Sequence, residues 1–242
     1  MMYLNERIDD LQRGGLRVIQ RADAFRFGTD AVLLADFAAP RRHDRVCDLG
    51  TGTGIIPLLL YARENTISAD AVEIQPDMAD MAARSMAMNG LNEKIRVLPG
   101  DLRSIRTLLP HARYDLVTCN PPYGKAGGTL LNPDASKRLA RHEESCAIED
   151  VACAAAWLLQ NGGRLCCVFP AARMIELSDA MRKYRMAPKR IRMVHSRGEK
   201  AAHLCLMEGM LDARPGLIIE PPLVIYDENN AYTPELRRIY GL

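Results

Sequence analysis

A chain of 242 residues is long enough to bury one sizeable core and too short for two full domains, so one α/β-sized domain with at most a short appendage is expected. Its 48% hydrophobic and 26% charged residues exclude a disordered chain, and 32 Lys+Arg against 30 Asp+Glu leave a formal charge of +2, without a global basic field that would advertise a nucleic-acid partner. Apolar runs such as Val151 to Leu159 reach only half of a membrane span, and Met1-Met2-Tyr3-Leu4-Asn5-Glu6-Arg7 lacks the apolar stretch of a secretory signal, so a soluble, cytoplasmic protein is expected.

Gly28-Thr29-Asp30 reads as the N-cap of an apolar helix running to Ala39, after a stretch of mixed charge. From residue 44 onward β-rich runs alternate with helical patterns, as in a sheet built from βαβ units. Strands are predicted at Arg45 to Leu49, Ala69 to Ile74, Ile95 to Leu98, Tyr114 to Cys119, Arg164 to Phe169, Arg190 to His195 and His203 to Met207. Helices are predicted at Gly54 to Arg63, Pro76 to Asn89, Leu102 to Leu109, Ile148 to Gln160 and Ala171 to Tyr184, with Asn89-Gly90 and Gln160-Asn161-Gly162-Gly163 as stops. Ser196 to Ala202 is too short for a helical crossover, so the last two strands should form an antiparallel hairpin. The expected fold is a Rossmann-like α/β sheet of seven mostly parallel strands with one antiparallel strand and helices on both faces.

The cysteines number seven, and five of them (Cys47, Cys119, Cys166, Cys167, Cys205) fall in apolar strand-like runs, where a thiol packs as a small hydrophobe. No C-x-x-C pair exists and the Cys146 to Cys153 spacing fits no zinc module, so no metal is expected.

The first predicted strand runs through Asp48 into Gly50-Thr51-Gly52-Thr53-Gly54 and then directly into a helix. This is not the dinucleotide fingerprint G-x-G-x-x-G, because its third glycine would fall on Ile55 or Pro57. The pattern is D-x-G-x-G-x-G. Asp48 would repel a pyrophosphate but can accept a hydrogen bond from an amino group. Glu73 follows Gly54 by 19 residues, near the spacing at which an acid reaches ribose hydroxyls, and Asp101 ends the next strand. Either acid alone is also read as a helix cap or a solvated turn residue. Three acids at successive strand ends lie where open α/β sheets bind ligands.

Over roughly residues 28 to 207 the sequence resembles the class I S-adenosylmethionine-dependent methyltransferases. The resemblance implies that Gly50, Thr51, Gly52 and Gly54 contact the methionine part of the cofactor. It likewise implies that Glu73, beside Ile74, holds the ribose hydroxyls and that Asp101, beside Leu102, reads the adenine amino group. Phe27 and Asp30 either close over the cofactor or serve packing and helix capping. It divides the chain into an N-terminal segment over the cofactor site (1–28), the methyltransferase domain (29–210) and a C-terminal tail (211–242).

The fourth predicted strand ends in Asn120-Pro121-Pro122-Tyr123. Proline could simply stop the strand. Alternatively, the Asn120 side-chain carbonyl and the Pro121 main-chain carbonyl can accept the two N–H bonds of a planar –NH2 group, and Tyr123 can stack on the substrate. N-P-P-Y resembles the motif shared by adenine-N6 methyltransferases and enzymes that methylate glutamine of release factors, whereas guanine-N2 enzymes more often carry phenylalanine last. Further likeness at Phe25-Arg26-Phe27-Gly28-Thr29-Asp30, Arg141-His142-Glu143 and Pro222-Leu223-Val224-Ile225-Tyr226-Asp227 is to the bacterial tRNA1(Val) adenine-N6 methyltransferases, most closely the form of Gram-positive bacteria. Few residues precede the core, which leaves little room for the helical domain of the glutamine enzymes. A tRNA partner, with Lys125, Arg138 and Arg141 near the substrate, is expected; Arg141-His142-Glu143 reads equally as a salt-bridged loop anchor. Between Arg173 and Lys200 nine basic residues face three acids, a surplus of six that either tracks phosphates or is a solvated face.

Overall fold

The computed structural model describes residues 3, 5–22, 28–122 and 148–242. A hairpin of β1 (Glu6–Asp10) and β2 (Arg17–Arg21) comes first, and it was not legible in the sequence because β1, Glu-Arg-Ile-Asp-Asp, carries no apolar alternation. Then follow α1 (Thr29–Ala38), β3 (Arg45–Leu49), α2 (Ile55–Arg63), β4 (Ser68–Glu73), α3 (Pro76–Met88), β5 (Ile95–Pro99), α4 (Ile105–Leu108) and β6 (Tyr114–Cys119). Beyond residue 147 come α5 (Ile148–Leu158), β7 (Leu159–Pro170), α6 (Met174–Lys183), β8 (Met186–His195), β9 (Ala202–Leu211), β10 (Ile218–Ile219), β11 (Leu223–Val224) and α7 (Pro234–Tyr240).

The main sheet has the order β10-β8-β9-β7-β6-β3-β4-β5, with β11 also beside β8. Every pairing is parallel except those of β9, which lies antiparallel between β7 and β8. The short 196–201 connection makes the expected hairpin. The expected seven strands are all present, but among the described residues the sheet has nine. The extra two, β10 and β11, contribute two residues each and flank Pro221-Pro222, so they offer no alternation to read.

Period-2 alternation gives the central strands two apolar faces. Val46, Leu116, Cys166, Val168, Leu204 and Leu206 point into one cluster with α1, α2, Met86 of α3 and α7. Their neighbours Cys47, Val117, Leu165, Cys167, Cys205 and Met207 point into a second with α5, α6 and Ile105 of α4. All five strand cysteines are buried and in no disulfide, and burial pushes the thiols of Cys47, Cys166, Cys167 and Cys205 up. Leu236 and Ile239 of α7 are fully buried against this first face, each worth about 1.5–3 kcal/mol.

Helix ends follow their residues. In α3, Pro76 occupies the first turn and Gly90 ends the helix at φ 69°; Leu91 N–H donates to Met86 O at 2.9 Å and Gly90 N–H to Ala87 O at 3.0 Å, a Schellman closure. The predicted helices at Leu102 and Ala171 each begin with a 3₁₀ turn, over Leu102–Ser104 and Ala171–Arg173. The predicted 148–160 helix is shorter than expected. It stops at Leu158, and Gln160 to Gly163 form extra residues of β7, since Tyr114 pairs with Leu159 but Leu116 with Arg164. Gly163 must lack a Cβ there, because one would lie 2.9 Å from Gln160 O and 3.0 Å from Tyr114 O.

Two anchors seat the N-terminal hairpin. On α3, Arg84 pairs with Glu6, Asn89 bonds both N–H and C=O of Arg17, and Ser85 Oγ accepts from Ile19 N at 2.9 Å. On α7, Arg13 donates to the carbonyls of Arg238 and Ile239. A buried charge cluster secures the other end of α1. Arg164 reaches Glu208 at 3.2 Å, Asp44 at 3.4 Å and Ala38 O at 3.1 Å, while Arg190 reaches Glu208 at 3.0 Å, Glu220 at 2.9 Å and Phe37 O at 2.8 Å. Two guanidiniums thus cap the last carbonyls of α1, where the helix dipole favours positive charge. Among the described residues no helix is long and apolar enough to cross a membrane.

Candidate active site

Strand register brings the candidate residues to one edge. Asp48 lies opposite Thr118 and Leu49 opposite Cys119 and Val72, so Gly50 and Asn120 leave the sheet side by side. Glu73 pairs with Pro99, two residues before Asp101.

The turn after β3 is held by Gly50 and Thr51 N–H donating to Val72 O at 2.9 and 3.0 Å. Gly50, Gly52 and Gly54 sit at φ 71°, 58° and 83°, in the left-handed region that disfavours a side chain. The three differ in surroundings. A Cβ on Gly54 would fall 2.5 Å from Met86 Cε, so this glycine lets α2 approach α3, whereas Gly50 and Gly52 face open space.

Asp48 is fully buried. Its Oδ1 accepts from Thr118 Oγ1 at 2.6 Å, while its Oδ2 and the buried Thr51 Oγ1 make no hydrogen bond of good geometry. Burial pushes its carboxyl up to about 7, against the Thr118 and Thr51 hydroxyls, and the charge of Glu73 adds to the rise. The folded chain therefore favours protonated Asp48, a stabilisation complete below about pH 4 and lost as pH rises through about 7. Asp48→Asn is expected to melt at a higher temperature than the parent at pH 8 and at the same temperature at pH 4, followed by circular dichroism; a difference independent of pH would refute the assignment.

Glu73 is buried and anchors the turn, accepting from Gly52 N at 2.8 Å and Gln75 N at 2.9 Å. Ile74 is 44% exposed, an apolar side chain left open on this edge. Asp101 caps the turn beginning at Leu102 through Arg103 N and also accepts from the Arg103 guanidinium at 2.6 Å, which holds it below the usual carboxylate range. Asp30 lies in the first turn of α1, whose N-cap is Gly28 without a side-chain bond. Burial pulls the imidazole of His203, at the start of β9, below its usual value, and Asp30 opposes that shift.

A cavity of about 270 Å³ opens here, lined by Gly50, Thr51, Gly52, Ile56, Met78 and Asn120 together with Gln20, Arg21, Gly28 and Ala31. Gln20 and Arg21 were missed in the sequence, because a charged hairpin far from any motif gave no signal. Pro121 is buried and Pro122 exposed. Phe27, Tyr123, Lys125, Arg138, Arg141, His142 and Glu143 lie outside the described residues. Among the described residues no group of three His, Cys, Asp or Glu is arranged to hold a metal ion.

Four of the nine basic residues between Arg173 and Lys200 pair with acids outside that run. Lys183 pairs with Glu149, Arg185 with Asp212, Arg190 with Glu208 and Glu220, and Arg192 with Glu235, while Arg173 pairs with Glu176 within the run. Arg182, Lys189, Arg197 and Lys200 make no ion pair among the described residues, so part of the surplus is left over.

The family model described as the methyltransferase small domain matches residues 22–190. The chain belongs to that family. This methyltransferase is 32% identical over 231 residues to a tRNA1(Val) (adenine(37)-N6)-methyltransferase of Porphyromonas gingivalis, covering 91% of this chain and 89% of the other. To the protein of the same name from Tolumonas auensis it is 35% identical over 216 residues, 88% and 86% of the two chains. Among solved structures, a predicted O-methyltransferase from Agrobacterium tumefaciens aligns with a TM-score of 0.73 at 24% identity, over 88% of this chain and 96% of that one. TrmN from Thermus thermophilus aligns at 0.56 and 23%, over 75% of this chain and 48% of that one. At these identities both structures speak to the fold alone.

The methyltransferase takes S-adenosylmethionine as its cofactor. The residues present fit it: Asp48 Oδ2 and Thr51 Oγ1, buried and in no hydrogen bond of good geometry, lie beneath a turn whose Gly50 and Gly52 open onto the cavity.

Proposed function

We propose that the chain methylates the exocyclic N6 amino group of an adenosine in tRNA, at position 37 beside the anticodon of tRNA1(Val), in the cytoplasm. What supports this most is that Asn120, first residue of the N-P-P-Y motif, lines the same cavity as Gly50, Thr51 and Gly52. The names of the relatives from Porphyromonas gingivalis and Tolumonas auensis support the acceptor.

When bound, S-adenosylmethionine supplies an electrophilic sulfonium methyl whose leaving group is a neutral thioether. Gly50, Thr51, Gly52 and Gly54 would hold it at the turn, with Asp48 accepting from its amino group. Glu73 would take the ribose hydroxyls on the lone pairs that Gly52 and Gln75 leave over, with Ile74 as an apolar contact. Asp101 would accept from the adenine amino group beside Leu102. Gln20 and Arg21, which line the cavity, support the reading of the N-terminal segment as a cover for this site, over which Phe27 and Asp30 would close; residues 29–210 then form the catalytic domain and 211–242 its tail.

The acceptor nitrogen is a poor nucleophile because its lone pair is delocalised into the purine ring. Asn120 Oδ1 and Pro121 O accept its two N–H bonds, which fixes the nitrogen and favours localisation of the lone pair. Pro121 suits the task because its ring stiffens the loop. Tyr123 stacks on the unstacked base, and Lys125, Arg138 and Arg141 contact the tRNA backbone. No general base is needed before attack, since the amine is already neutral and the product proton can leave to solvent.

The test offers a tRNA1(Val) transcript, the same transcript with guanosine at position 37, and a release factor side by side, with methylated products located by mass spectrometry. Methylation of the first alone is expected. Transfer to glutamine of the release factor, or to the guanine of the second transcript, would move the chain to another amino acceptor.

A further inference from the structure

A second trough, of about 420 Å³, opens at the opposite edge of the sheet, where β3, β4 and β6 begin with Arg45, Ser68 and Tyr114 and where Lys94 precedes β5. Strands of this length put it roughly 15–20 Å from the glycine turn. Its lining carries four cations, Arg45, Lys94, Arg96 and Arg113, against two acids, Asp70 and Glu93.

One of those acids is committed to the fold. Asp70 Oδ1 accepts from Arg96 Nε at 2.7 Å and Oδ2 from the Tyr114 hydroxyl at 2.5 Å. Asp70 thus fixes the Arg96 guanidinium while its two terminal nitrogens keep no partner among the described residues. Arg45, Lys94 and Arg113 are exposed and make no side-chain hydrogen bond or ion pair among the described residues. With Asp70 offsetting Arg96 and Glu93 also in the lining, the concavity keeps a surplus of two positive charges, which a bound anion would offset. Guanidinium forks match phosphate oxygens two by two, and the Ser68 hydroxyl and Asn92 amide add neutral donors.

We propose that this trough is a phosphate-binding site separate from the methyl-transfer site, taking the phosphate of a small phosphorylated molecule or of an RNA backbone. It does not rest on the adenosine reading. Inorganic pyrophosphate is titrated calorimetrically into the full chain and into Arg45→Ala/Arg113→Ala, with Lys94→Ala as a second variant. Saturable, salt-sensitive binding is expected, weakened about tenfold or more in the double variant. The melting temperature and S-adenosylmethionine affinity should be unchanged, since none of these side chains is bonded to the fold. A tRNA transcript offered to the same variants separates the sources. Weakened tRNA binding assigns the trough to RNA; unchanged tRNA binding with lost pyrophosphate binding assigns it to a small ligand. Pyrophosphate binding that the variants leave intact, or no pyrophosphate binding together with unchanged tRNA binding, overturns the proposal.

Discussion

Asn120→Ala is expected to lower the rate of methyl transfer to tRNA by about a hundred- to a thousandfold, the loss typical of removing one hydrogen-bonding group that acts at the reacting atoms. Affinity for S-adenosylmethionine, measured by calorimetry, should stay within a few-fold, because the cofactor contacts are assigned mainly to the turn after β3 and to the acids. Asn120→Asp keeps an acceptor oxygen at the same place, so its rate should fall between parent and alanine variant. Steady-state assays separate the cases: kcat and kcat/KM should drop together, as when an interaction belongs to the transition state. Full turnover by the alanine variant would remove Asn120 from the chemistry, and an equal loss of cofactor affinity would make it a cofactor contact.

The second large effect concerns stability. Arg164→Leu is expected to destabilise the fold by about 3–5 kcal/mol in urea unfolding, because it strips a buried cluster of one cation while Asp44 and Glu208 remain. Burial pushes the Glu208 carboxyl up, but Arg190 and Arg164 outweigh that and hold it below the usual range. This stabilisation is present above the ordinary glutamate value and fades as pH falls through the lowered one. The variant also leaves Ala38 O, at the end of α1, without its donor. Combining Arg164→Leu with Glu208→Leu should cost less than the sum of the two single changes, since two apolar side chains leave fewer buried charges unmatched. Strict additivity would show that Arg164 and Glu208 act independently.

What the sequence carried, it carried in local patterns. Val46-Cys47-Asp48-Leu49 followed by glycines at alternate positions announced both the central strand and its ligand turn, and the runs around Val117 and Cys166 announced its neighbours. Glu73 and Asp101 were found because they end strands. Whether each binds a ligand or caps a turn cannot be seen from spacing, and Asp101 does cap one, through Arg103. The features that stayed hidden are those made by distant partners. The burial of Asp48 arises from β6 across the register, the neutralisation of Arg192 from Glu235, and the contribution of Gln20 and Arg21 from a hairpin held by α3 and α7. Charge counts along a chain cannot anticipate pairing between residues 43 positions apart.

The contact of Arg13 with α7 joins residues 225 positions apart. A nascent chain grows at about 5–20 residues per second, so that seat becomes available on the order of ten seconds or more after β1 and β2 have been made. Until then only the α3 anchor can hold the hairpin. Gln20 and Arg21 are among the earliest residues synthesised, and the α3 anchor beside them, through Ile19 and Arg17, is complete long before the α7 anchor at Arg13. A translation product lacking α7 would keep the α3 anchor of the hairpin but lose the Arg13 contacts, so its hairpin would be seated at one end only.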